Sequence, residues 1–184
     1  AMKRGGDARS YRQMIEKARA TVPGLGVRST FIVGFPGEGD AELAELERFL
    51  DEVRFDHVGV FTYSWQEENP GAGLGDPVPE RVKAQRMRRL MRQQERISRE
   101  SYRRLKGQEV TAIVDGPSEE SEYLLQGRLA QQAPEVDGRV LFTDGTARPG
   151  DLVRVRIEKT YAFDLVGPIT AVVDAAPVIS QKLL

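Results

Sequence analysis

The stretch "RSTFIVGFPGEGD", Arg28 to Asp40, decides how the first half of this chain folds. Thr30, Phe31, Ile32 and Val33 favour extended backbone, and Gly-Phe-Pro-Gly-Glu-Gly ends the strand at once. Val27 to Val33 is mostly apolar, the pattern of a strand covered on both faces of a parallel sheet. Asp40 or Gly39 can cap the next helix, where Leu43, Leu46, Phe49, Leu50 and Val53 recur at spacings of three and four. Upstream, Asp7 to Ala20 carries Tyr11, Met14, Ile15 and Ala18 at helical period, and Pro23 with Gly24 closes that helix. Downstream, "RFDHVGVFTYS" holds a second strand, Val58 to Tyr63. Helix, strand, helix, strand with short links predicts βα units on a parallel sheet. Two parallel strands cannot cover their own faces, so this part reads as incomplete. Its open edges and apolar faces predict self-association of the chain.

Beyond a Gly/Pro-rich loop, Gln66 to Pro79, a long helix is expected from Pro79 or Glu80 to about Lys106. Its apolar positions are Val82, Met87, Leu90, Met91, Ile97 and Leu105, with Gln94, Ser98 and Ser101 in the same stripe. This stripe is thin, which suits a half-exposed brace. Eleven Lys or Arg residues against three Glu give the segment a local charge of +8 in a chain whose net charge is −1. That block suits either an anionic partner or a solvated face. Gly107 marks a change of period. "QEVTAIVDG", "EYLLQGRLA", "GRVLFTDG" and "DLVRVRIEKTYAFDLVG" follow as strands with Gly or Asp-Gly turns, predicting a small barrel of the oligonucleotide-binding type. The tail after Ile169 shows no usable period. The expected division is 1–78, 79–106, 107–169 and 170–184.

The 184 residues contain no cysteine, which removes disulfides, thiolate nucleophiles and the usual ligands of an iron–sulfur cluster. No apolar run approaches the roughly 20 residues of a membrane span, and no partner membrane is expected. These features fit a cytoplasmic protein.

In the Gly34–Glu38 corner, Gly34 lets a flat ligand approach the backbone, and Pro36 fixes a turn. Gly37 permits a positive φ, and Glu38 places a carboxylate at a helix start. The same corner also occurs in α/β proteins without any ligand. It is not a phosphate loop, because no Gly-Lys-Ser/Thr follows. His57, the one histidine, reads as structural; Glu67 and Glu68 are adjacent in a loop and show no acid/base geometry. Tyr63 and Trp65 could line a site mouth or pack. In the barrel, Arg128, Arg139, Arg148, Arg154, Arg156 and Lys159, with Phe142, Tyr161 and Phe163, could serve RNA. Glu119, Glu120 and Glu122 could instead meet a basic protein, or all these charges could simply solubilise the domain.

Taken in order, "RSTFIVGFPGE", "FDHVGVFTYS", "VPERVKAQRMRRLMRQQERIS" and "PGDLVRVRIEKTYAFDLVG" resemble the C-terminal part of the radical S-adenosylmethionine (SAM) methylthiotransferases that carry a TRAM domain. "FTYS" with "EE" close behind, the Arg before "STFIVGFPGE" and the closing "FDLVG" resemble the RimO branch, which modifies an aspartate of a small-subunit ribosomal protein. The tRNA-modifying branch (MiaB) more often has Arg-Pro-Gly-Thr-Pro where this chain has "QEENPGA". The resemblance implies the last βα units of a radical SAM barrel followed by an OB-like TRAM domain. It also implies SAM and two 4Fe–4S clusters in the parent protein, with the cluster cysteines absent here and the chain inactive alone. "TFIVGFPGE" resembles the looser signature GxIxGxxE, with Thr30 where its first Gly would be and Glu38 one residue late. The resemblance therefore makes Ile32, Gly34 and Glu38 neighbours of SAM. The implied partner is a small-subunit ribosomal protein, with tRNA as the alternative.

Overall fold

The computed structural model describes residues 6–65, 72–75, 77–119 and 121–175. They form two compact units, Ala1–Ile97 and Ser98–Leu184, and the division falls inside a helix.

In the first unit, helix α1 spans Ala8–Thr21 and begins on Asp7, whose carboxylate accepts the Ser10 N–H at 2.7 Å. The Ser10 hydroxyl in turn accepts the Asp7 N–H at 2.9 Å, so two orphan amides of the first turn are satisfied reciprocally. Strand β1 (Arg28–Val33), helix α2 (Asp40–Val53) and strand β2 (His57–Thr62) follow. The two strands pair in parallel, with Arg28 opposite His57 and Ile32 opposite Phe61. Phe31 and Val33 of β1 face the helices and join Leu43, Leu50, Val53, Phe55 and Val60 in one core. Ile32 and Phe61 lie on the other face, 44% and 61% exposed. The expectation of two parallel strands holds, and one face of the pair carries exposed apolar side chains.

Helix α3 spans Glu80–Arg103, three residues short of the expected Lys106. The reason is a tightened exit: Arg104, Leu105 and Lys106 donate to carbonyls three residues back, and Gly107 leaves with φ +82°. Within the first unit α3 contributes Leu90 and Ile97 to the core, and Gln94 donates to the Phe55 carbonyl at 2.9 Å.

The second unit is a curled sheet of strands β3 (Glu109–Ser118), β4 (Ser121–Leu129), β5 (Val140–Phe142), β6 (Leu152–Arg156), β7 (Lys159–Thr160), β8 (Leu165–Gly167) and β9 (Ile169–Asp174). Their order is β7-β8-β5-β4-β3-β6-β9. Only Ile157 and Glu158 separate β6 from β7, and only Pro168 separates β8 from β9, so the four make one long bent hairpin. Glu158 donates to Val166 at 2.9 Å and Arg156 to Pro168 at 3.2 Å, which carries the pairing through both breaks. Because β8 also pairs in parallel with β5, while β9 pairs with β6, the sheet returns on itself. With β6–β7 and β8–β9 each continuing as one bent strand, the seven strands curl into a closed sheet. Gly167 sits at the crossing; a Cβ there would lie 1.9 Å from the Arg156 carbonyl oxygen.

Val114, Leu129, Val140, Phe142, Val153, Val155, Ile157 and Leu165 fill the barrel. β9 occupies sequence in which no period was visible. Its residues from Thr170 to Asp174 are all exposed, so backbone pairing with β6 holds it rather than an apolar face. Among the described residues no helix is long and apolar enough to cross a membrane.

Leu165 is fully buried at the closure of the barrel. Leu165→Ala should therefore cost about 2–5 kcal/mol of stability. It would be read as a lower urea midpoint with an unchanged denaturant slope. A loss below about 1 kcal/mol would contradict the packing described.

Candidate functional site

The corner after β1 is built on Gly34, Pro36 and Gly37, with two cations reaching in from α3. Gly34 turns the chain with φ +80°. Phe35-Pro36-Gly37-Glu38 then makes a reverse turn: Glu38 donates to the Phe35 carbonyl at 2.9 Å, and Gly37 has φ +92°. Proline second and a positive-φ glycine third are the residues a type II turn demands. The Glu38 side chain folds back, and its Oε1 accepts the Gly34 N–H at 3.0 Å. The same oxygen accepts from Arg86 Nη1 at 2.8 Å, and that nitrogen also donates to the Glu38 carbonyl at 3.0 Å. Both side chains are nearly buried, at 10% and 13% exposure, so this pair is screened far less than a surface one. Glu42 accepts the Gly39 N–H at 2.8 Å. Its carboxyl lies below the usual range because the amides of Glu42 itself and of Gly39 favour the anion.

Beneath the corner lies Lys83, with no exposed surface. Its Nζ donates to the Tyr63 carbonyl at 2.8 Å and to Glu80 Oε1 at 2.7 Å. It also sits 5.6 Å from the centre of the Tyr63 ring. The stem of Lys83 passes directly under Gly34, where a Cβ would stand 2.4 Å from Lys83 Cγ. Phe35 meets the Tyr63 ring edge-on at 5.2 Å. One buried amine thus ties the end of β2 to α3 and fills the space below the turn after β1.

Gly34 and Glu38 are in direct contact, whereas the Ile32 side chain projects from the opposite face of the strand pair. Tyr63 is buried and Trp65 is 44% exposed. His57 is buried at the other end of the parallel pair, opposite Arg28. Glu67 and Glu68 lie outside the described residues. Lys83 and Arg86 were missed as site residues because they stood inside a run of eleven cations. Their phase would have found them, since Lys83, Arg86, Leu90, Gln94 and Ile97 share one helical face.

The barrel carries a second feature, a groove of about 680 Å³ along β4 and the loops beside it. Asp115, Glu119, Glu135, Asp137 and Asp164 line it against Arg128 and Arg139. Arg128 is ion-paired with Asp115. Arg139 donates to Gln126 at 2.9 Å and lies 4.0 Å from Glu119. Both cations are engaged, and three carboxylates remain in excess. Of the aromatics considered for stacking, Phe142 is core, while Tyr161 and Phe163 are 53% and 40% exposed. Arg154, Arg156 and Lys159 are exposed on β6 and β7, and Arg156 lies 3.8 Å from Glu109. The Arg148 N–H donates to Asp151 at 2.7 Å. Glu120 lies outside the described residues, as does the side chain of Glu122.

Residues 107–170 match the family model of the TRAM domain. Over 171 residues the chain is 45% identical to "Ribosomal protein uS12 methylthiotransferase RimO" of Anaeromyxobacter sp. (strain K), covering 93% of the chain and 36% of that protein. The chain is homologous to part of RimO. The RimO of Syntrophotalea carbinolica is 48% identical over 87% of the chain and 35% of its own length. That of Geobacter sulfurreducens is 44% identical over 86% and 35%. The chain therefore spans little more than a third of the RimO relatives it matches, and the match runs through both units.

Gly34→Ala and Gly37→Ala separate two costs. Gly37 has φ +92° with nothing near its missing Cβ, so alanine there should cost about 1–2 kcal/mol for the left-handed backbone alone. Gly34→Ala adds the collision with Lys83 and should cost about 1–3 kcal/mol more in chemical denaturation. Equal losses at the two positions would show that Lys83 does not pack under Gly34.

Proposed function

We propose that this chain is the C-terminal part of a methylthiotransferase that places a methylthio group on an aspartate of a small-subunit ribosomal protein. The observation that carries this reading is the 45% identity to an Anaeromyxobacter RimO across 93% of the chain. In this reading the β1–β2 pair belongs to the last βα units of a radical SAM barrel, and its C-terminal end, where Gly34 stands, is the ligand end.

The residues fit one of the implied groups and not the other. Exposed Ile32 and Phe61 offer apolar surface, whereas the space that a Gly34 side chain would take is filled by the Lys83 stem, so that a ligand would meet the Gly34 backbone from its other side. Ile32 and Gly34 would lie against SAM, and Glu38 would act through Gly34 by holding its amide. Iron–sulfur ligation does not fit: the chain has no cysteine, and among the described residues no three His, Asp or Glu side chains stand so that they could hold a metal ion. No step of cluster chemistry is assigned to these residues. When bound in the parent protein, SAM and the clusters supply the hydrogen abstraction and sulfur transfer. What this chain contributes is position: Arg86 and Glu38 keep the turn in one conformation, and Lys83 prevents it from sinking toward α3.

The barrel groove would hold the substrate. Five carboxylates against two engaged arginines repel a phosphate backbone and attract a basic protein segment. This favours ribosomal protein over tRNA at this surface.

The test uses a chimera in which these 184 residues replace the matching segment of the Anaeromyxobacter RimO, in cells lacking their own enzyme. Mass spectrometry of ribosomal protein uS12 should show the methylthio group. The isolated chain, given iron, sulfide and SAM, should neither develop a cluster spectrum nor cleave SAM. A soluble chimera that leaves uS12 unmodified, or a cluster on the isolated chain, would overturn the reading.

A further inference from the structure

The cations of α3 within the first unit fall into three sets by helical phase, and two of them are occupied. Lys83 and Arg86 turn inward to the Gly34–Glu38 corner. Arg89 and Arg96 lie to one side and pair with Glu47 and Asp51 of α2. The third set is Arg81, Arg88 and Arg92. All three are exposed, and among the described residues none is held by an ion pair.

Spacings of seven and four put these three side chains on one line along the solvent face, rising about 10.5 Å and then about 6 Å. Gln85 lies beside that line and is also exposed. The face has no exposed large apolar side chain, since Val82, Met87 and Met91 are all partly covered. A protein-docking surface of ordinary affinity needs buried apolar or aromatic anchors, and none is offered. Glu95, half-buried and already engaged, borders the line, but every exposed cation of α3 in this unit is Arg and the one Lys is buried. Arginine is the residue suited to bidentate contact with phosphate oxygens.

We infer that the Arg81–Arg88–Arg92 line is an RNA-backbone contact, taking phosphates of a structured RNA without reading bases. Its charge is opposite in sign to that of the barrel groove, and it does not depend on which molecule receives the methylthio group. If the substrate is a ribosomal protein, this contact fits one already seated on RNA.

The experiment measures binding of the 184-residue chain to a short RNA duplex across a salt series. The triple variant R81Q/R88Q/R92Q is compared with a charge-matched control, R9Q/R89Q/R96Q. Gln is close to Arg in helix propensity, so folding is checked by helix content. The wild type should bind at low salt, with affinity falling linearly on logarithmic axes. The triple should lose about tenfold or more at low salt and flatten the slope by about two to three. The control should leave the slope near that of the wild type. No binding by the wild type, or equal slopes in the two triples, would overturn the inference. Equal, Arg81-dependent binding of poly-glutamate would replace RNA with an acidic protein and equally overturn it.

Discussion

The first unit depends on a single ammonium group taken out of water. Desolvating such an ion costs several kcal/mol, and the cost is met only where good geometry surrounds it. Here the Tyr63 carbonyl and the Glu80 carboxylate receive the Lys83 Nζ at 2.8 and 2.7 Å. The consequence reaches three elements. The amine fixes where β2 ends, its stem sets the floor under Gly34, and its backbone anchors the first turns of α3. Arg86, one turn along, then closes the roof through Glu38. A corner that as text is only strand, glycine and proline becomes a rigid shape because two cations brace it from behind.

α3 shows how one composition serves several physical ends. A run of eleven cations reads as a single basic block, but the helix deals its members to different surroundings at 100° intervals. The unit's fold uses the inward pair, α2 takes the lateral pair, and the outward line remains for solvent or a partner. Charge balance alone does not reveal this division; phase does.

Much of the fold is legible in the sequence. The β1–α2–β2 order follows from Thr30–Val33, the Gly-Pro-Gly break and the Leu43–Val53 stripe, because apolar period and turn chemistry are local signals. The strands of the barrel were legible for the same reason, down to the alternation of Val153, Val155 and Ile157. β9 was not. Its residues face solvent, and a strand held by backbone pairing leaves no period in the side chains. The site was half legible: Gly34 and Glu38 could be named from the turn, but their contact runs through a folded-back carboxylate. Its arginine partner lies 48 positions away in sequence. The excess of carboxylates in the barrel groove likewise arises only when residues from 115 to 164 are brought together by closure of the sheet.

The burial of Lys83 can be measured directly. An amine-acylating reagent applied to the native chain, followed by peptide mass spectrometry, ranks the lysines by access. Lys17, Lys106 and Lys159 are exposed and should label readily. The account predicts that Lys83 stays unlabelled until the chain is unfolded in denaturant. Labelling of Lys83 in the folded chain at the rate of those three would contradict it.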